Sequence, residues 1–222
     1  MKVRDAMTSE VRVVGPEASL KEVASILAEH RISGLPVVDD GGGVLGVVSE
    51  GDIVLKESAE VPQGLQRVFH HKEASALASK VEARTAGEAM SAPAIVVEPF
   101  WQLAQAAGLM IEHGVKRLPV VEDGKLVGIL TRFDLVRAFA RGDDEIVREI
   151  REETLSGLAW PERLQVTVRG GEVTLRGEVD SKFEAESLPS SIRRIPGVVA
   201  VDSELAGWDP DSNRTTVVSA HL

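Results

Sequence analysis

The sequence predicts an α/β (α+β) fold in which two similar βαββα units are followed by a smaller αββαβ domain. An internal repeat is the first reason, since residues 3–7 resemble residues 86–90, and residues 35–40 resemble residues 118–123 at the same spacing. A repeat fixes the architecture, because each copy is one supersecondary unit that buries its apolar face against a neighbour. The second reason is that the pattern changes after Gly142, where strands of alternating polarity begin.

Each copy has the same order of elements: a short apolar strand, a helix, two further strands and a second helix. In the first helix of the first copy, apolar residues recur at helical spacing and give one apolar face. We expect Ser19 to cap this helix, with Glu22 three residues later. The strands are nearly continuous apolar runs, as in sheets that are covered on both faces. The elements of the first copy fall at residues 11–14, 19–30, 35–38 and 44–48, and from residue 52 onwards.

The C-terminal part of the chain has a different pattern. A helix with acidic residues in its first turn begins at Asp143, where the helix dipole favours negative charge. Gly170 and Gly171 separate two alternating strands and predict a tight hairpin. Pro189 lies inside the next expected helix and should kink or shorten it. The predicted domains are 1–60 and 85–141 for the repeats, 61–84 for a helical linker, 142–206 for the small domain and 207–222 for a flexible tail.

Composition excludes several classes of function. The 222 residues carry a formal net charge of −10, which disfavours general attraction to nucleic acid or to anionic lipid. The chain has no cysteine and begins without the apolar run of a secretion signal. No stretch approaches the ~20 apolar residues that cross a bilayer. We therefore expect a cytoplasmic protein without a nucleic-acid partner and without membrane association.

The motif Gly-x-x-Ser/Thr-x-x-Asp occurs in both copies, where a strand passes into a helix. An ionised aspartate can accept two hydrogen bonds, which suits the vicinal hydroxyls of a ribose. A hydroxyl beside the free N–H groups of a helix start suits a phosphate. The same residues are also common helix caps, and the repetition of the motif does not decide between the two roles. The motif comprises Gly46, Ser49 and Asp52 in the first copy, and Gly128, Thr131 and Asp134 in the second.

The paired units, the Leu-Pro-Val-Val strand and this motif closely resemble the cystathionine β-synthase (CBS) domain family over about residues 1–140. The resemblance implies a pseudo-two-fold pair whose clefts bind AMP, ADP, ATP or S-adenosylmethionine as a regulatory ligand. Asp52 and Asp134 would then hold ribose. Ser49 and Thr131 would lie near phosphate. First-strand residues such as Ile95 and Val96 would cover the purine.

The two copies differ at one position that bears on ligand binding. Lys116 and Arg117 precede the second Leu-Pro strand, whereas Ser33 and Gly34 precede the first. The resemblance implies that a basic residue here grips phosphate, and the planar guanidinium of arginine fits phosphate oxygens. The alternative is that both basic residues are solvated surface charges.

We therefore expect the ligand in the cleft of the second unit, formed by Lys116, Arg117, Thr131 and Asp134. The segment that contains Thr8 would close this cleft. The first cleft keeps Ser49 and Asp52, with Ser33 in the place of the basic pair. It is expected to bind a less charged ligand or none.

Residues 143–206 resemble the BON domain family through the strand at 166–168, the turn region at 171–177 and the run at 195–201. The resemblance implies binding of phospholipid or another hydrophobic ligand. A protein-interaction domain with an ordinary hydrophobic core is the alternative.

The leading hypothesis is a non-catalytic, homodimeric regulatory protein that binds an adenosyl nucleotide and signals to a partner through its BON-like domain. A structural interaction module with empty clefts is the second hypothesis, and BON-mediated lipid binding is the third. An enzyme is not expected, because no residue set forms a recognisable catalytic group. His70 and His71 are read as a solvated pair in the linker, and no metal site is expected.

Overall fold

The computed structural model describes residues 1–58, 78–208 and 215–220. The chain forms two compact units, and we call them the repeat unit and the C-terminal unit. The repeat unit comprises Met7–Trp101 and Met110–Thr131, and the C-terminal unit comprises Met1–Ala6, Gln102–Leu109 and Arg132–Leu222. The expected histidine pair at 70–71 and most of the expected helical linker lie outside the described residues, although residues 78–82 are helical.

The described elements follow the order that the repeat predicts. The α-helices are α1 (Val3–Ala6), α2 (Leu20–His30), α3 (Glu50–Glu57), α4 (Ala86–Ala89), α5 (Leu103–Glu112), α6 (Arg132–Phe139), α7 (Asp143–Glu149) and α8 (Lys182–Ile192). The strands are β1 (Gly34–Val38), β2 (Val44–Ser49), β3 (Arg117–Glu122), β4 (Lys125–Thr131), β5 (Leu164–Arg169), β6 (Glu172–Val179), β7 (Ala200–Trp208) and β8 (Thr215–Ala220). A π-helical turn at Ile150–Leu155 and a 3₁₀ turn at Pro161–Arg163 precede β5.

The repeat unit contains two antiparallel strand pairs, β1 with β2 and β3 with β4. The first strand that the sequence predicts in each copy is reduced to one parallel bridge, Val14 with Val37 and Val97 with Val120. Proline is the physical reason. The next bond of each parallel ladder would need the N–H of the residue two positions later, and that residue is Pro16 in the first copy. Its counterpart in the second copy is Pro99.

The repeats complete each other by exchanging short segments. Val47 in β2 exchanges two backbone hydrogen bonds with Ser91 of the second copy, at 3.1 and 2.9 Å. Ile129 in β4 exchanges two with Thr8 of the first copy, at 3.0 and 2.9 Å. Each copy therefore borrows an edge partner from the other, which is the pseudo-two-fold arrangement that the sequence analysis expected.

The glycine of the Gly-x-x-Ser/Thr-x-x-Asp motif serves this exchange. A Cβ atom at Gly46 would lie 2.5 Å from Sδ of Met90 and 2.9 Å from the carbonyl oxygen of Ser91. A Cβ atom at Gly128 would overlap Sδ of Met7 in the same way. The methionine at the start of each repeat thus packs on the glycine of the other repeat.

An apolar core lies under α2, which packs against β1 of the first copy and α4 of the second. The predicted cap of α2 is confirmed, because Oγ of Ser19 accepts the N–H of Glu22 at 3.2 Å. The buried residues of this core are Val14, Leu20, Val23, Leu27, Leu35, Val37, Val48, Ala83, Ala86 and Ala89. Burial on this scale stabilises the repeat unit by removing apolar area from water.

The C-terminal unit contains a four-stranded sheet of order β5-β6-β7-β8, in which only β6 and β7 are parallel among the described strands. The predicted hairpin is confirmed, since Gly170 and Gly171 take positive φ angles of 59° and 79°. Both of their N–H groups donate to the Asp143 carboxylate, at 2.7 and 2.9 Å. The core includes Ile146, Ile150, Leu175, Ile192 and Leu205.

Two details differ from the sequence-based expectation. Helix α8 continues through Pro189, because the proline ring is buried on the same face as Ala185, Leu188 and Ile192. Residues 215–220, expected in a flexible tail, form β8 beside β7. The run Thr-Thr-Val-Val at the start of β8 is β-branched and favours a strand. No helix among the described residues is long and apolar enough to traverse a bilayer.

We predict that Gly46→Ala lowers the free energy of unfolding by about 1–3 kcal/mol, because the new methyl group meets the Ser91 backbone. Gly128→Ala should cost less, since the flexible side chain of Met7 can turn away. Urea unfolding of the two variants checks this. Equal stability of Gly46→Ala and the wild type would contradict the segment exchange.

Candidate functional site

A cavity of about 330 Å³ lies within the repeat unit, at the place where the two copies meet. This volume is at the lower end of the range for small-molecule sites. Both copies contribute to its wall, so neither copy alone forms the site. The lining residues are Val47, Ser49, Glu50 and Gly51 from the first copy, and Ser91, Pro93, Ala94, Ile95, Gly114, Val115, Lys116 and Arg117 from the second.

Arg117 is the most buried charged group of this wall, at 7% exposure. It begins β3, and its guanidinium crosses to the first copy, where Nη2 donates to Oγ of Ser33 at 2.8 Å. A methyl group at Gly34 would overlap Nη1 of Arg117. Ser33 of the first copy therefore accepts a hydrogen bond from Arg117 of the second, and Gly34 leaves room for its guanidinium.

Two carboxylates of the first copy, Glu50 and Asp52, act on the charge of Arg117 beside the cavity. Burial lowers the pKa of Arg117 below its ordinary value, and the Glu50 and Asp52 carboxylates oppose this shift. The guanidinium thus stays charged next to the cavity. Nζ of Lys116 lies 3.4 Å from Oε1 of Glu50, and both side chains are largely exposed. Such an exposed pair adds little to stability.

Asp52 is 8% exposed and makes three hydrogen bonds within the repeat unit. Oδ2 accepts both the backbone N–H and the Oγ hydroxyl of Ser49, each at 2.8 Å. Oδ1 accepts Nζ of Lys80 at 2.6 Å. The same lysine donates to Oγ of Ser91 at 3.0 Å. The capping role that the sequence left open is thus filled in the first copy, and Oδ1 keeps one acceptor position for a ligand.

In the second copy, Asp134 belongs to the C-terminal unit and has a side-chain exposure of 5%. Its Oδ1 accepts Nη2 of Arg137 at 2.9 Å. Nη2 also donates to the carbonyl oxygen of Ala6 at 3.1 Å. Thr131 ends β4 in the repeat unit, directly opposite Arg117 in the strand register.

The basic pair and the motif acids combine differently from the sequence-based grouping. Lys116 and Arg117 were expected with Thr131 and Asp134, whereas in the structure they line a cavity with Ser49 of the first copy. The reason is the segment exchange, which brings each copy's strand edge against the other copy. The cavity therefore places Ser49 of the first-copy motif beside the basic pair.

The other expected site residues, Ile95, Val96 and Thr8, lie in three different places. Ile95 lines the cavity, while the next residue, Val96, faces a different hollow beside Phe100 and Trp101. This alternation is that of an extended chain. Thr8 contributes backbone bonds to Ile129.

Sequence reasoning missed Glu50, Ser91 and Lys80. Ser91 had a signal, because it occupies the position of Thr8 in the repeat. Lys80 had none, since it lies in the linker, which has no counterpart in the other copy.

The family model for the CBS domain matches residues 3–58 and 86–141, and the model for the BON domain matches residues 142–206. The chain therefore belongs to the CBS domain family, with a BON domain after its two CBS repeats. Both resemblances drawn from the sequence are confirmed.

Among curated proteins, the chain is similar to the chloroplastic CBS domain-containing protein CBSX2 of Arabidopsis thaliana. The identity is 36% over 148 residues, which cover 61% of this chain and 62% of that protein. The chain thus spans less than two thirds of the length of that relative.

Two solved structures confirm the fold class of the repeats. A crystal structure of CBSX2 in complex with AMP is 37% identical, with a TM-score of 0.53, and the match covers 62% of this chain and 94% of that one. The CBS domain pair of MJ0100 in complex with 5′-methylthioadenosine and S-adenosyl-L-methionine is 26% identical, with a TM-score of 0.50. That match covers 63% of this chain and 100% of the other.

We predict that Asp52→Ala lowers the free energy of unfolding by about 0.5–2 kcal/mol, because α3 loses the carboxylate that accepts the two bonds from Ser49. Asp40→Ala, in an exposed turn of the same copy, is the matched control and should be close to neutral. Urea unfolding measures both. A neutral Asp52→Ala would argue against the capping geometry.

Proposed function

We propose that the protein is a non-catalytic regulatory module that binds an adenosine nucleotide with a phosphate group in the cavity between the repeats. The observation that carries this proposal is the buried guanidinium of Arg117 beside a cavity of suitable size. Apolar wall residues such as Val47, Ile95 and Val115 offer a surface for a purine. The similarity to CBSX2, whose crystal structure holds AMP, supports the choice of ligand.

In this proposal the ligand spans both copies. Its phosphate lies at Lys116 and Arg117, because charge-assisted hydrogen bonds to phosphate are the strong ones. Its ribose lies at Asp52, and its base lies against Ile95. No cofactor with catalytic chemistry is part of the proposal, and the ligand acts as a regulator.

A second, weaker site beside Thr131 within the repeat unit is part of the proposal, because Thr131 repeats Ser49. Thr8 would stand there in the place that Ser91 has in the first site.

We propose that regulation passes through the contact of α6 with the BON domain inside the C-terminal unit. Arg141, which follows α6, donates from Nε to the carbonyl oxygen of Pro196 at 2.7 Å and pairs with Glu149. A ligand at Asp134 that shifts α6 would therefore act on the BON domain. Such an effect is a population shift, whose size equals the difference in ligand affinity between the two arrangements.

The proposal includes a symmetric homodimer, the commonest oligomer of soluble proteins, and a protein partner of the BON domain. It also places the protein in the cytoplasm, since a chain without cysteine fits a reducing compartment. Neither nucleic acid nor a membrane is a proposed partner.

A structural module is the second candidate function. The observation that favours it is that Asp52 already accepts hydrogen bonds from Ser49 and Lys80, as a helix cap does. In that case the motif contributes to stability and no nucleotide binds.

Calorimetric titration with AMP, ADP, ATP and S-adenosylmethionine separates the two candidates. We predict that Arg117→Met weakens AMP binding by about tenfold or more, the value of a lost charged hydrogen bond. Adenosine binding should change little, because it has no phosphate. Lys21→Met, on the exposed face of α2, is the control and should bind AMP as the wild type does.

Absence of binding by the wild type for all four ligands would reject the sensor and leave the structural module. Undiminished AMP binding by Arg117→Met would move the phosphate site away from the basic pair.

A further inference from the structure

Lys80 lies on the helical stretch at residues 78–82 that ends the linker, and it contacts Ser91, one of the residues that line the proposed nucleotide cavity. Its ammonium is 2.6 Å from Oδ1 of Asp52 and 3.0 Å from Oγ of Ser91. The side chains of Lys80 and Asp52 are 19% and 10% exposed. This is therefore a largely buried ion pair, in contrast to the exposed pair of Lys116 and Glu50.

The hydrogen-bonding capacity of Asp52 limits what a ribose can do here. A carboxylate has about four acceptor positions on its two oxygens. Ser49 uses both positions of Oδ2, and Lys80 uses one of Oδ1. A vicinal diol needs two acceptor positions for a bidentate contact, and one remains. The diol must consequently compete with the ammonium of Lys80.

The charge of Lys80 matters as well. Lys116, Arg117 and Glu50 line the cavity, and Asp52 lies next to it through its bonds to Ser49, so two positive and two negative charges balance there. Lys80 adds one cation and leaves a net positive site. Such a site favours a phosphorylated ligand over a neutral nucleoside or a cationic sulfonium.

The motif aspartate is paired with a cation in the second copy as well, which indicates that the pairing has a function. Asp134 is also paired with a cation, Arg137, which lies three residues later on α6. The first copy has Leu55 at the equivalent position of α3. The cation comes from the linker in the first copy and from α6 in the second. Duplication of the sequence does not explain this shared pairing, because the two cations are not at equivalent positions.

We propose that Lys80 is the specificity-determining residue of the cavity between the repeats: it competes with the ribose diol for Asp52 and raises the preference for ligands that carry phosphate. This inference rests on the proposed nucleotide site. It assigns to the linker a direct role in ligand selection.

Calorimetry with adenosine, 2′,3′-dideoxyadenosine and AMP tests the competition in Lys80→Met and, as a second uncharged variant, Lys80→Gln. We expect adenosine to bind roughly two- to tenfold more tightly to Lys80→Met than to the wild type, the value of one neutral hydrogen bond. Dideoxyadenosine has no diol, so its affinity should not change. The ratio of AMP to adenosine affinity should fall. Lys125→Met, at the exposed start of β4, is the matched control.

Unchanged or weaker adenosine binding in both variants would overturn the role of Lys80. An equal gain for dideoxyadenosine would also overturn it, because the effect would then not involve the diol. If the wild type and both variants bind none of the three ligands, the nucleotide site itself is rejected. This outcome therefore distinguishes rejection of the nucleotide site from rejection of the role of Lys80 in ligand selection.

Discussion

The exchange of edge segments between the repeats is the interaction on which the rest of the structure depends. Ser91 pairs with Val47 and Thr8 pairs with Ile129, so the two copies cannot separate without losing four backbone hydrogen bonds. The motif glycines are needed because the other copy's methionine lies on them. The exchange also creates the cavity, since it brings Ser91 and the residues after it to the motif of the first copy.

The divergence of the two copies follows from the same packing. The guanidinium of Arg117 occupies the volume above Gly34, and it donates to Ser33. Two arginines at these equivalent positions would place two buried cations in one space, which is unfavourable. The second copy therefore supplies the cation, Arg117, and the first copy supplies the space for it at Gly34. The pair of repeats becomes asymmetric, with the basic pair on one side only.

Much of the fold was predictable because it is local or repeated. Short sequence patterns predict the repeat, the cap at Ser19 and the hairpin at Gly170 and Gly171. The composition of the cleft was not predictable, because segment exchange is a non-local pairing, and the motif glycines that permit it do not show which segment they pair with. Lys80 carries no signal in a linker without periodicity, and residues 215–220 lie in a polar tail where only a short β-branched run favours a strand.

We propose that groups of both repeats hold one ligand, with Lys116 and Arg117 at its phosphate and Asp52 at its ribose. A crystal structure of the protein grown with AMP tests this most directly. We expect density for the phosphate within hydrogen-bond distance of Arg117 or Lys116, and for the ribose diol at Asp52. A nucleotide bound away from the basic pair, or a cavity that stays empty at saturating AMP, would contradict it.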